Sequence, residues 1–167
     1  MAVLSVPKPV KKEKKVKRKS KKTPERKLIE EIDALDSMIC LIINDFKCIL
    51  CGGNANQIHH FFHKSNHGAV RFEPDNHTPV DFGCHNFVIH VKGDTEQLRD
   101  NIIADIGLFR FEELKKKSRE LADRSIHYLK EELLKKQERL LEIVKIFPER
   151  VGKLSEAARK RLDKIKK

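Results

Sequence analysis

Cys48-Ile-Leu-Cys51-Gly52-Gly53, then Gln57-Ile-His59-His60-Phe61-Phe62, and finally Asp81-Phe-Gly-Cys84-His85, decide how this chain reads. Three of its four cysteines and seven of its eight histidines lie between residues 48 and 90. Two thiols separated by two residues, with glycine directly after, make half of a metal knuckle. The glycines let the backbone turn tightly enough to aim its amides at the thiolates. Asp81-x-x-Cys84 has the spacing of a second half-site, with a carboxylate replacing one thiolate. The expected structural zinc set is therefore Cys48, Cys51, Asp81 and Cys84, with His77 as the other candidate for the fourth position. Ligation of this kind contributes on the order of 10 kcal/mol to the folding of a small module. That equals the whole stability of many domains, so the module is expected to need its metal to fold.

Between the half-sites, Gln57–Phe62 reads as a strand. Adjacent strand residues face opposite ways, so His59 and His60 are expected to do different jobs, one holding a metal and the other facing water or substrate. If Cys84 opens an α-helix, His85 aligns better with Ile89 than with His90, which makes His90 the weakest ligand of the group. His63 and His67 read as surface residues.

Outward from this centre the chain is helical. Thr23-Pro24-Glu25 is a helix start, with Thr as N-cap, Pro in the first turn and an acid beside the positive end of the dipole. Leu28, Ile32, Leu35, Ile39 and Ile42 then recur at helical spacing to about Asn44. Cys40 falls inside that stripe and reads as a small buried hydrophobe. On the other side, Thr95 opens a helix ended by Gly107, another covers about 112–121, and Ile126 to Ile146 carries a long apolar stripe. Ser155 starts a last short helix. The stripes of 24–44 and 126–146 are expected to pack on each other or on a second subunit. The fold class expected is α+β and mostly helical, a small zinc-stapled module flanked by long helices. Its divisions are a basic arm (1–22), an N-terminal helix (23–45), the knuckle module (46–108) and a helical C-terminal region (109–167).

Charge is uneven along the 167 residues. The net charge is +11. Residues 1–22 hold ten basic groups (Lys8, Lys11, Lys12, Lys14, Lys15, Lys17, Arg18, Lys19, Lys21 and Lys22) against Glu13 alone. So basic an arm cannot bury enough apolar area to fold, and is expected to be disordered and to bind phosphates in a salt-sensitive way. No apolar run approaches a membrane span. No export signal is legible, and cysteines at knuckle spacing suit a reducing, intracellular compartment.

The order C-x-x-C-G, His-His, Arg71-Phe72-x3-Asn76, Asp81-x-x-Cys84-His85 resembles the HNH, or ββα-metal, nucleases with a zinc knuckle. It most resembles the lambdoid-phage NinG (Rap) family of recombination endonucleases, and more weakly phage endonuclease VII. The resemblance spans about residues 47–135. It implies a treble-clef-like module and metal-dependent hydrolysis of DNA phosphodiesters in branched intermediates such as Holliday junctions, D-loops or flaps. It also implies that His60 is the general base, that His59, His85 and His90 hold a catalytic Mg²⁺ or Mn²⁺, that Asn76 braces the loop bearing the base, and that Arg71 contacts a phosphate. Branched DNA, phage recombination proteins and a second copy are the implied partners, in the cytoplasm of an infected bacterium or in the nucleus of a eukaryotic source. The chain departs from the family pattern at Asp81, where Cys is usual, at His85, where the NinG-like proteins usually carry Asn, and at His90, one residue beyond the common spacing. Two other readings remain open: a general HNH nicking or homing-type nuclease, and a zinc module that binds nucleic acid without cutting it.

Overall fold

Helix α1 (Pro24–Ile43) begins where the capping residues predict, with Thr23 Oγ1 accepting the Arg26 N–H and Pro24 in the first turn. The structure, a computed structural model, describes residues 22–93 and 95–167. The basic arm from Lys8 to Lys21, including Lys11, Lys12, Lys14, Lys15, Lys17, Arg18 and Lys19, lies outside the described residues. Lys22, counted with the arm, is described and pairs with Glu30 at 2.5 Å. After α1 come strand β1 (Gln57–His60), strand β2 (His77–Val80) and a π-helix (Cys84–Val91). Helices α2 (Thr95–Ile106), α3 (Leu108–Lys117), α4 (Ile126–Ile146) and α5 (Glu156–Ile165) complete the chain. The described residues are mostly helical with one small antiparallel sheet, in which Gln57 faces Val80 and His60 faces His77.

The two long apolar stripes meet within one chain. Ile32 of α1 packs with Leu129 of α4 and with Phe72, while Leu35, Ile39 and Ile42 pack with Leu140, Ile143 and Val144. Leu98 and Ile102 of α2, Phe111 of α3 and Leu162 of α5 join the same core, as do Cys48, Val80 and Ile89 of the knuckle region. Each fully buried aliphatic side chain here contributes roughly 1.5–3 kcal/mol. The small sheet is too short to stand by itself. It is held because the helices bury it.

Where α1 ends, the chain must reverse to reach Cys48. Asp45 and Phe46 adopt left-handed conformations (φ 50° and 58°), a backbone cost of order 1 kcal/mol or more for each non-glycine residue. The turn is secured on three sides. The Phe46 N–H donates to Leu41 O (2.9 Å), the Phe46 side chain is buried, and Lys153 reaches Asp45 (2.7 Å).

One ion pair crosses the α1–α4 contact. Lys136 Nζ donates to Asp36 Oδ1 (2.7 Å) and to the carbonyl of Phe72 (2.5 Å). Burial pushes the Asp36 carboxyl up to about 7 against the pull of Lys136. No helix among the described residues is long and apolar enough to cross a membrane. Removing the cation alone would strand a buried acid. Lys136→Met is therefore expected to lower unfolding free energy by about 3–5 kcal/mol in denaturant titrations, and a loss below about 1 kcal/mol would contradict this account.

Candidate metal centres

The first centre grows out of the turn after α1. The Cys48 N–H donates to Gly53 O (2.8 Å) and the Gly52 N–H to Cys48 O (2.8 Å), closing a loop with Gly52 at φ +71°. The Gly53 amide points at Cys51 Sγ (3.4 Å), and a Cβ on Gly53 would sit 3.3 Å from that sulfur. The knuckle is tied to the sheet by the Ile49 N–H on Pro79 O (2.9 Å) and to α2 by Asn101 Nδ2 on Ile49 O (2.9 Å). Asp81 follows β2 directly and uses its two oxygens differently. Oδ1 accepts the Cys84 N–H (3.0 Å) at the start of the π-helix, and Oδ2 lies 3.1 Å from Cys51 Sγ. One ligand atom each from Cys48, Cys51, Asp81 and Cys84 falls within 4.8 Å of the others. Three sulfurs and one oxygen make a set that could hold a structural ion such as zinc. Hydrogen bonds from Cys84 hold the Asp81 carboxyl below the usual carboxylate range, and Asp81 with partial burial raises the Cys84 thiol. His77, the other candidate for the fourth position, lies elsewhere, buried with its Nε2 on Arg71 O (2.8 Å).

The second centre lies on the face of β1 that carries Gln57 and His59. His85 Nδ1 is 2.9 Å from Gln57 Oε1, which makes Nδ1 the N–H donor and leaves Nε2 free to ligate. His90 Nε2 is 3.2 Å from that nitrogen. Two imidazole nitrogens bound to one ion at about 2.1 Å, with an angle near 90–110°, lie roughly 3.0–3.4 Å apart. The buried His59 ring packs against both, with centroids 5.3 Å from His85 and 5.9 Å from His90. His59, His85 and His90 can each offer one nitrogen within 4.8 Å of the others. Burial and the two neighbouring rings push His59 down to about 4, and burial with His90 lowers His85, so both are neutral and ready to ligate at pH 7.

The standing of His90 is a correction to the α-helical expectation. Residues Cys84–Val91 form a π-helix, whose i to i+5 register is wider than that of an α-helix. Five residues complete a turn closely enough to bring His85 and His90 side by side.

His60 departs from the expectation that it stands beside the ion. Strand alternation turns it to the opposite face, edge-on to His77 with centroids 4.7 Å apart. It is 8% exposed, and its Nε2 has no hydrogen-bond partner. Burial and His77 push it down to about 3. Arg71, expected to meet a phosphate, instead forks on to Asp33 (2.6 and 3.0 Å). Asn76 is fully buried and does brace the loop after β1. Its Oδ1 accepts the Phe62 N–H (2.8 Å), and its Nδ2 donates to Phe62 O and Val70 O. His67, read as a surface residue, pins this loop through Nδ1 to Ser118 O (3.0 Å). Gln57 was missed, although alternation with His59 puts it on the same strand face. Asp33 had no local signal.

No protein family, no curated protein and no solved structure matches this chain.

Two measurements follow from these sites. Chelation of the zinc-loaded protein is expected to melt the knuckle and the π-helix together, seen as lost amide protection at Cys48–Gly53 and Cys84–Val91. Retained protection would remove the metal from the fold. Acid is expected to destabilise the protein through His59, His60 and His77, whose folded values, about 4, about 3 and about 4, lie below the ordinary 6.5. Unfolding takes up their three protons between pH 6.5 and 4, and Asp36 returns one, because its folded value is raised. The two net protons give stability that is full above pH 6.5 and falls by about 2.7 kcal/mol per pH unit below it. A flat profile from pH 7 to 4.5 would refute this.

Proposed function

We propose that this protein is a metal-dependent nuclease of the HNH kind, hydrolysing DNA phosphodiesters and favouring branched recombination intermediates. The observation that carries the reading is the convergence of His59, His85 and His90 on a strand and short helix that the Cys48–Cys51–Asp81–Cys84 cluster clamps together. That combination is a ββ-plus-helix unit with one thiolate-rich anchor and one imidazole site. The site lies at the protein surface, since His90 is exposed, so a strand of nucleic acid can reach it. A net charge of +11, nine of it in residues 1–22, favours a polyanionic substrate.

A divalent cation bound by these histidines would polarise the scissile phosphate and stabilise the leaving 3′ oxygen. The chain's own residues do the rest. Gln57 orients His85, burial keeps His59 neutral, and Asn76 fixes the loop that follows the strand. An all-imidazole set suits first-row transition ions, with Mn²⁺ among the weaker binders. Mg²⁺ prefers oxygen and is the poorer match.

The burial of His60 favours a second reading, a zinc-containing module that binds nucleic acid without cutting it. Cleavage of a four-way junction, a flap and a linear duplex at equal salt, with Mn²⁺, Mg²⁺ or chelator, separates the two. The nuclease reading expects cleavage of branched DNA that His59→Ala and His85→Ala each reduce at least about 100-fold while binding survives. Binding without cleavage under every ion would leave the second reading standing. His60→Ala assigns that residue. Lost cleavage at an unchanged melting temperature marks a base, whereas lost cleavage with lost stability marks a buried support.

A further inference from the structure

The π-helix segment carries two rows of side chains, and the metal centres use only one of them. His85 and His90, five residues apart, form the row that meets His59. Phe82, Phe87 and Lys92 stand at the same five-residue spacing and form the second row. This row faces solvent. Phe82 is 64% exposed, Phe87 56% and the neighbouring Val91 71%, whereas Ile89 holds the other side of the helix in the core. Lys92 Nζ lies over the Phe87 ring, 5.0 Å from its centroid.

Large apolar side chains gathered on one surface segment mark a contact site. Position and charge narrow what makes the contact. His90 is exposed on the same helix, three residues from Phe87. A protein seated on the aromatic ridge would therefore cover the ion that the histidines would hold. From Phe82 to Gly93 the sequence has no acidic residue, and it ends in Lys92 and Gly93. Exposed rings beside a cation, on a chain of net charge +11, are complementary to nucleic acid. Bases stack on such rings while the amine meets a phosphate. An intact duplex keeps its bases stacked on one another, and a step must be opened before a side-chain ring can enter. Where a base is already unpaired, that work is done.

We propose that Phe82 and Phe87 stack on unpaired bases where DNA strands branch, with Lys92 on the adjoining phosphate, and that this ridge sets the preference for branched over linear DNA. The proposal rests on the reading of the histidine centre as one that meets DNA, and it names the residues that select which DNA is met.

The test uses the full zinc-loaded chain with no catalytic ion added, so that binding is read apart from cleavage. The probes are a flap with a fluorescent adenine analogue as the unpaired base at its branch, and a linear duplex of equal length. Anisotropy gives the two affinities, and quenching of the analogue reports stacking. Saturable quenching on the flap is expected. Phe82→Ala and Phe87→Ala should each lower the flap-over-duplex affinity ratio by about fivefold or more and relieve the quenching. Phe87→Trp should keep both, whereas Phe87→Leu, apolar but unable to stack, should lose them. Lys92→Gln should reduce the salt slope of binding by about one. An unquenched analogue, ratios that both alanine variants leave unchanged, or a leucine that serves as well as tryptophan would overturn the proposal. So would a wild-type dimer that the alanine variants turn into monomers in sedimentation, which would assign the ridge to a second copy. Adding Mn²⁺ separates the two readings. Intact ratios and quenching without cleavage would sink the nuclease and support the ridge, whereas branch-selective cleavage indifferent to both rings would remove the ridge alone.

Discussion

Three sulfurs and a carboxylate oxygen must be brought within 4.8 Å of one another before they can share a structural ion such as zinc. That constraint governs the centre of this molecule. Cys48 and Cys51 belong to a loop after α1, and Asp81 and Cys84 to the junction of β2 with the π-helix. Joining them joins everything that carries chemistry. Asp81 is the hinge of the arrangement, since one oxygen completes the cluster while the other caps the helix on which His85 and His90 ride.

The second centre depends on the first through this short path. Cys84 and His85 are neighbours in sequence, one turned to the sulfurs and the other to His59. Ile89 anchors the buried side of the same π-helix in the core, and Gln57 steers the His85 ring from across the sheet edge. The imidazole cluster is therefore positioned by an anchor at each end. The contact of α1 with α4 supports both by burying the far side of the sheet.

Much of this was legible in the chain. The Cys48–Gly53 knuckle, the Asp81–Cys84 half-site, the Thr23 cap and the two long stripes follow from local spacing, and local spacing is what sequence encodes most directly. The alternation of β1 separated His59 from His60, but not which of them would face the cluster; that depends on which face α1 covers. His90 was ranked the weakest ligand because an α-helical period was assumed, and the choice between i+4 and i+5 registers rests on packing around Ile89 and capping by Asp81. The capture of Arg71 by Asp33, 38 residues away in the chain, is purely tertiary. So is the meeting of Asp36 with Lys136.

The π-helix has a further meaning. A stretch of eight residues in this wide register has the geometry of an ordinary helix that has absorbed one additional amino acid without moving its ends. The ends are pinned here, by Asp81 on one side and the turn at Gly93 on the other, so the surplus residue swells the coil instead of lengthening it. Every side chain beyond the swelling is rotated relative to its α-helical position. Single-residue insertions and deletions, usually ruinous inside a helix, would thus act in this segment as a rotary adjustment of which groups face the sheet.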